Sequence, residues 1–265
     1  MIIKNFFQTF RNCRNLQKVT STSSPNIDSS LTSCRELFQG AGLADINFVR
    51  QWDVSNVTNF QGMFSGLVVK RGPGASIDLS GWDVSSAVDM ASMFQNRTFG
   101  RFTPGTINLS NWNMPNLTTI RTMFGSNTLL TELNITGWST PSLVEMRFFC
   151  NQASSLTDIV GIEYLNTSSV TTMERAFIQN TKLDISLATF SMSNVTDLRD
   201  IFRDTNAISV ANYDATLISW SNQVLKPNEQ TNFGTAKYTL GGAAEAARNT
   251  IINTYGWTIT DGGGI

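Results

Sequence analysis

The chain has 265 residues, of which 41% are hydrophobic and 10% aromatic, enough apolar side chain to bury a core and too much for a disordered chain. Charged residues make up only 15%, and the formal net charge of −1 leaves no electrostatic footprint for nucleic acid. With no histidine in the sequence, no Ser-His-Asp or Cys-His nucleophile and no His-containing zinc site can be built.

The N-terminal segment MIIKNFFQTFRNCRN has no sustained apolar run and no small-residue cleavage site, so no signal peptide is expected. No window approaches the roughly 18 apolar residues of a membrane span, and no membrane insertion is expected. Phe6, Phe7 and Phe10 read as the apolar half of a repeat entered partway, with Cys13 and Leu16 at its exit. A repeat stack that starts without a cap exposes apolar side chains and unpaired edges. Residues 1–20, centred on Phe6, Phe7 and Phe10, are therefore expected to pack on another chain, either a second copy or a different protein of the same assembly. Cys13, Cys34 and Cys150 form no CxxC pair and no disulfide framework, and are expected to be buried small hydrophobes.

From residue 52 onward the chain repeats itself. WDVSNVTNFQGMF (52–64), WDVSSAVDMASMF (82–94) and WNMPNLTTIRTMF (112–124) align without gaps. Weaker copies are WSTPSLVEMRFF (138–149), which reads as one residue shorter, LNTSSVTTMERAF (165–177) and FSMSNVTDLRDIF (190–202). Terminal phenylalanines at 10, 38, 64, 94, 124, 149, 177 and 202 give a mean period of about 27 residues, inside the range of leucine-rich-type solenoids.

Each unit carries two rhythms. Before the Trp position, Ile77-Asp-Leu79, Ile107-Asn-Leu109 and Leu133-Asn-Ile135 alternate as short half-buried strands. After it, Val57, Phe60, Met63 and Phe64, or Ala87, Met90, Met93 and Phe94, recur at steps of three and four, predicting one to two helical turns. Thr58 with Gln61 and Thr171 with Glu174 fit capping boxes for those turns, and Asp89 and Asp197 fall where a helix dipole would favour them. Gly- and Pro-bearing insertions at 68–76 and 96–106 predict loops on one side.

Beyond residue 210 the pattern changes. NYDATLISWSNQV predicts an amphipathic helix with Leu217, Ile218 and Trp220 inward; GGAAEAARNTIINTYG predicts a second, ended by Gly256; and a short strand closes the chain. The fold class expected is an α/β repeat solenoid: about eight strand-plus-short-helix units over 1–210, closed by an α/β capping segment over 211–265.

The motif W-[DN]-x-[SP]-[NS]-[VAL]-x-x-[MIF]-x-x-MF, together with the segment YDATLISWS through GWTITDGG, resembles the BspA-like leucine-rich-repeat surface proteins over nearly the whole chain. Those occur on bacterial surfaces, among mycoplasma lipoproteins, in some protists and in viral genomes. The resemblance implies a solenoid used for adhesion or recognition, with no catalytic residue and no cofactor. Unlike the secreted members, this chain is expected to carry no leader, lipobox or sorting tail.

Stacking would place acids in register. Asp53 and Asp83 each follow their Trp, and Asp78, Asn108 and Asn134 share one strand position. Neighbouring strands lie about 4.8 Å apart, so these residues form either a hydrogen-bonded ladder or a site for calcium or carbohydrate. A paired-carboxylate glycosidase on Asp53 and Asp83 is the remote enzymatic alternative. Seven N-x-[ST] sequons occur, three of them (Asn56, Asn116 and Asn194) inside the repeat motif itself. The functional expectation is a non-enzymatic scaffold: a virion structural, decoration or host-attachment protein of a phage, or alternatively a bacterial cell-surface adhesin. Its expected partners are other proteins of the same assembly, a second copy, or a host-surface glycan or protein.

Overall fold

In the computed structural model, residues 6–16, 30–43, 46–69, 75–96 and 104–265 are described. Much of both insertions, and residues 1–5 and 17–20 of the expected N-terminal interface, lie outside them. The strands are β1 (Gly42–Leu43), β2 (Val68–Val69), β3 (Ala75–Asp78), β4 (Pro104–Asn108), β5 (Glu132–Asn134), β6 (Ile159–Val160), β7 (Gln230–Asn232) and β8 (Thr258–Thr260). Every pairing is parallel: β1 with β2, β3 through β6 in sequence order, and β7 with β8. Ile77, Ile107, Leu133 and Ile159 share one inward rung, and Asp78, Asn108, Asn134 and Val160 share the next, outward one. A second ladder of single bridges joins Ser33, Asn59, Asp89, Thr119, Glu145, Thr172 and Asp197, again in parallel. Both ladders advance one repeat per rung, so successive circuits of the chain lie side by side around one core.

The segments expected to be helical turns are not helices. Each is a ribbon of reverse turns in which backbone amides alternate between two partners. Met63 N–H donates back to Phe60 C=O and Ser65 N–H to Gly62 C=O, while Phe60, Gly62, Phe64 and Gly66 donate across to Asp89, Ala91, Met93 and Gln95 of the next circuit. The third residue of each turn must adopt positive φ. Glycine meets that need at Gly62 (φ 62°), but Glu36, Ser92, Thr122, Phe148, Arg175 and Asp200 occupy the same position at φ between 54° and 57°. An apolar spacing of three and four fits both structures, because a four-residue turn repeat brings Phe60 and Phe64 to the core as a helix would. The cross-circuit amide bonds favour the ribbon. The supposed capping boxes dissolve accordingly: the Thr58 hydroxyl donates to Thr32 C=O of the preceding circuit (3.2 Å), and Gln61 N–H is held by Asn59 Oδ1 (2.9 Å).

The core is a set of columns. Phe10, Phe38, Phe64, Phe94 and Phe124 stack near-parallel with centroids 5.5–6.0 Å apart, in the offset range favoured by aromatic rings. Trp82, Trp112 and Trp138 form a second column at 6.5 and 6.0 Å. Their indole N–H groups donate to Val49, Leu79 and Leu109 C=O of the preceding circuit, so each buried polar tip is satisfied.

One register assignment is corrected. Cys150, not Phe149, stands in the Phe column: Phe124 N–H donates to Phe149 C=O, and Cys150 N–H to Ala176 C=O, as Phe94 N–H does to Met123 C=O. The fourth motif copy is therefore full length. Phe149 takes the Met position and turns its ring edge-on to Phe124 and Phe177, at 5.4 and 6.2 Å. Cys34 and Cys150 are buried, and burial pushes both thiols up to about 12. Cys13 is exposed, against expectation, because its ribbon is the outermost one described.

At the C-terminal end, α1 (Val210–Ser221) is capped by the Ser209 hydroxyl, and α2 (Ala243–Tyr255) ends on Gly256 at φ 69°. Leu217 and Trp220 face inward as expected, but Ile218 is exposed. The parallel pairing continues through this segment: Leu198 bridges Thr231, and Asn232 pairs with Thr260. Trp220 and Trp257 repeat the indole bond to a preceding circuit, donating to Leu187 and Lys226 C=O. Asp261, its side chain only 4% exposed, joins the pieces, accepting from Tyr213 Oη (2.7 Å) and Arg248 Nε (2.8 Å). Burial pushes the Tyr213 phenol upward, and the Asp261 carboxylate adds to it.

Candidate recognition surface

Side chains that point away from the core fall into outward columns. Asn116, Ser142, Ser169 and Asn194 belong to one, and each donates to a carbonyl of the preceding circuit: Ser85, Pro115, Pro141 and Ser168 respectively. Two residues on, Thr118 and Thr196 do the same to Val88 and Thr171. The sequons Asn116-Leu-Thr118 and Asn194-Val-Thr196 thus have a structural reason, since both of their polar side chains close hydrogen bonds between circuits.

The strand-position ladder comes together in part. Asn108 Nδ2 donates to Asp78 Oδ1 (3.2 Å), which also accepts from the Ser80 hydroxyl (2.7 Å) and Ser80 N–H. The Ser80 hydroxyl contributes most to holding the Asp78 carboxyl below its usual range, with Arg50 3.7 Å away. Asn134 Oδ1 instead accepts from Thr136 N–H (2.9 Å). Asp53 and Asp83 are exposed and each engages its own turn. Asp53 Oδ1 accepts from the Ser55 hydroxyl (2.6 Å) and N–H, which lower its pKa, and Asp83 Oδ1 accepts from Ser85 N–H. Among the described residues, no group of three or more Cys, Asp or Glu side chains is placed to hold a metal ion. No described helix is long and apolar enough to cross a membrane.

At the N-terminal end, Phe6 and Phe10 are half-buried against the core, while Phe7 is exposed with the Arg35 guanidinium 5.4 Å from its ring centre.

The ribbon face carries many of the ion pairs, some across circuits and some within one. Arg11 meets Glu36 at 3.1 Å, Arg147 meets Glu145, Arg175 meets Asp200 at 3.2 Å, and Arg199 meets Asp197 at 3.0 Å. Among the described residues, two of the surface concavities bear on recognition. One of about 360 Å³ holds Asp158, Glu163 and Asp184 beside Ile162 and Ile185; Asp184 there is occupied by Ser209 N–H and Asn212 Nδ2. The other, of about 200 Å³, lies where the ribbon meets β7 and β8, walled by Glu174, Arg175, Arg199 and Asp200 and floored by Gln230, Asn232, Thr258 and Thr260. Sequence reasoning missed it because its residues come from circuits some thirty to eighty positions apart. The only local signal was the alternation in Gln230-Thr-Asn232 and Thr258-Ile-Thr260.

Two overlapping stretches, residues 4–128 and 96–215, match the family described as Mycoplasma protein of unknown function, DUF285. No curated protein and no solved structure matches the chain.

Proposed function

The chain belongs to the DUF285 family, and on that premise we propose that it is a non-enzymatic recognition scaffold, a leucine-rich-repeat-like solenoid of BspA-like surface type. The observation that carries this reading is the outward columns. Their polar side chains are fixed by hydrogen bonds between circuits, which gives a rigid surface that loses little side-chain freedom on binding a partner. Display on a virion, as a decoration or host-attachment protein, suits a polar surface of low net charge. Display on a bacterial cell as an adhesin is the second reading, favoured by a family whose description names Mycoplasma.

The test has two parts. Fluorescently labelled chain should adsorb saturably to host or neighbouring cells. Mass spectrometry should then find the chain in purified virions on the first reading, or in a surface-shaved cell fraction on the second. A chain that neither adsorbs to cells nor appears in either fraction defeats the proposal.

A further inference from the structure

We propose that the groove where the ribbon face meets β7 and β8 binds a single neutral sugar unit, with Gln230, Asn232, Thr258 and Thr260 as its hydrogen-bonding floor. This deepens the recognition reading above and rests on it. Parallel register sets Gln230 beside Thr258 and Asn232 beside Thr260. Strand alternation turns these four outward and leaves Thr231 buried. The resulting floor is a two-by-two array of amides and hydroxyls. Asn232 spends only Oδ1, on Gly234 N–H (2.8 Å). Among the described residues, no hydrogen bond within the chain occupies the side chains of Gln230, Thr258 or Thr260. The contrast with the Asn116, Ser142 and Asn194 column is direct, since there the same polar groups are closed onto backbone carbonyls.

The wall indicates the charge of the ligand. Arg175 is held by Asp200 (3.2 Å) and Glu174 (3.4 Å), Arg199 by Asp197 (3.0 Å) and Glu174 (3.7 Å), and Asp200 also by Arg203 (2.9 Å). Each cation already has its carboxylate, so an ionic ligand would have to break a pair to gain one. A neutral ligand that both donates and accepts meets unengaged partners of both kinds on the floor. At about 200 Å³, below the roughly 300–1,000 Å³ of drug-sized pockets, the space suits one ring bearing several hydroxyls. A pyranose unit at the end of a glycan has that chemistry.

The experiment is saturation-transfer NMR on the full chain with methyl glycosides of glucose, galactose, mannose and N-acetylglucosamine, and with N-acetylneuraminic acid as the anionic arm. At least one neutral glycoside should give transfer signals, and binding should weaken at least tenfold in Thr258→Val with Thr260→Val. That pair keeps side-chain shape and strand preference, and its melting curve should match that of the parent. Binding of none of the neutral glycosides overturns the proposal, as does binding that survives the double substitution or a preference for N-acetylneuraminic acid. If labelled chain still adsorbs to cells while the glycosides fail, the sugar assignment falls and the recognition reading stands.

Discussion

At the residue scale, the stack shows which polar side chains the ribbon needs and which it only tolerates. Asn59 and Asp89 occupy equivalent positions, and each holds the N–H two residues ahead, on Gln61 and Ala91, at 2.9 and 2.8 Å. Asn59 serves as that acceptor without a charge. Burial raises the pKa of Asp89, outweighing the Ala91 N–H bond and the Arg35 charge that lower it. A carboxyl whose folded pKa lies above its unfolded value contributes stability below the unfolded pKa, and that contribution is lost as pH rises through the folded pKa. Asp89→Asn, which copies Asn59, should therefore be at least as stable as the parent at pH 7. Its advantage should shrink as pH falls through the acidic range and Asp89 becomes neutral. Urea midpoints at pH 4 and pH 7 check this, and a variant less stable than the parent at pH 7 would show that the charge itself is used.

At the element scale, the ribbon is where sequence and structure part. The period, the Trp and Phe columns and the two C-terminal helices, the second ended by Gly256, were legible, because burial periodicity and a glycine C-cap are local signals; the Ser209 cap was not read. The ribbon was not, because helical and four-residue turn spacings bury the same residues. Its distinguishing feature, positive φ at the third turn position, is filled by Glu36, Ser92, Thr122 and Phe148 as well as by Gly62, so glycine does not mark it. Cys150 was misplaced for a related reason: Phe149 supplies a ring from the neighbouring position and imitates the motif. Two substitutions separate the structures by sign. In a helix, Gly62→Ala would gain roughly 1 kcal/mol and Ser92→Gly would lose about half as much. In the ribbon, with φ at 62° and 57°, Gly62→Ala should lose about 1–2 kcal/mol and Ser92→Gly should lose nothing. Denaturant midpoints of the two variants read the difference directly.

At the scale of the whole molecule, stability passes from circuit to circuit, and the last circuits carry a share that none of the earlier ones can replace. Phe202 is covered by Phe233, with centroids 5.6 Å apart. Leu187 is bound by the Thr216 hydroxyl at its N–H and by the Trp220 indole at its C=O. Gln223 closes Phe190 C=O and Met192 N–H at 2.9 and 2.7 Å. Leu187, Phe190, Met192 and Phe202 are all essentially fully buried. Ending the chain at residue 209 would uncover them together. At about 1.5–3 kcal/mol for each large apolar side chain, the loss is roughly 6–12 kcal/mol, as large as the whole stability of a typical domain at about 5–15 kcal/mol. The uncovered amides of the 198–205 ribbon would add an open edge that invites aggregation. Residues 1–209 alone should therefore be recovered insoluble or without a cooperative thermal transition, whereas the full chain should melt cooperatively. A soluble 1–209 fragment melting within a few degrees of the full chain would mean that each circuit supports itself, and that α1, α2 and the Asp261 cluster serve something other than closure of the stack.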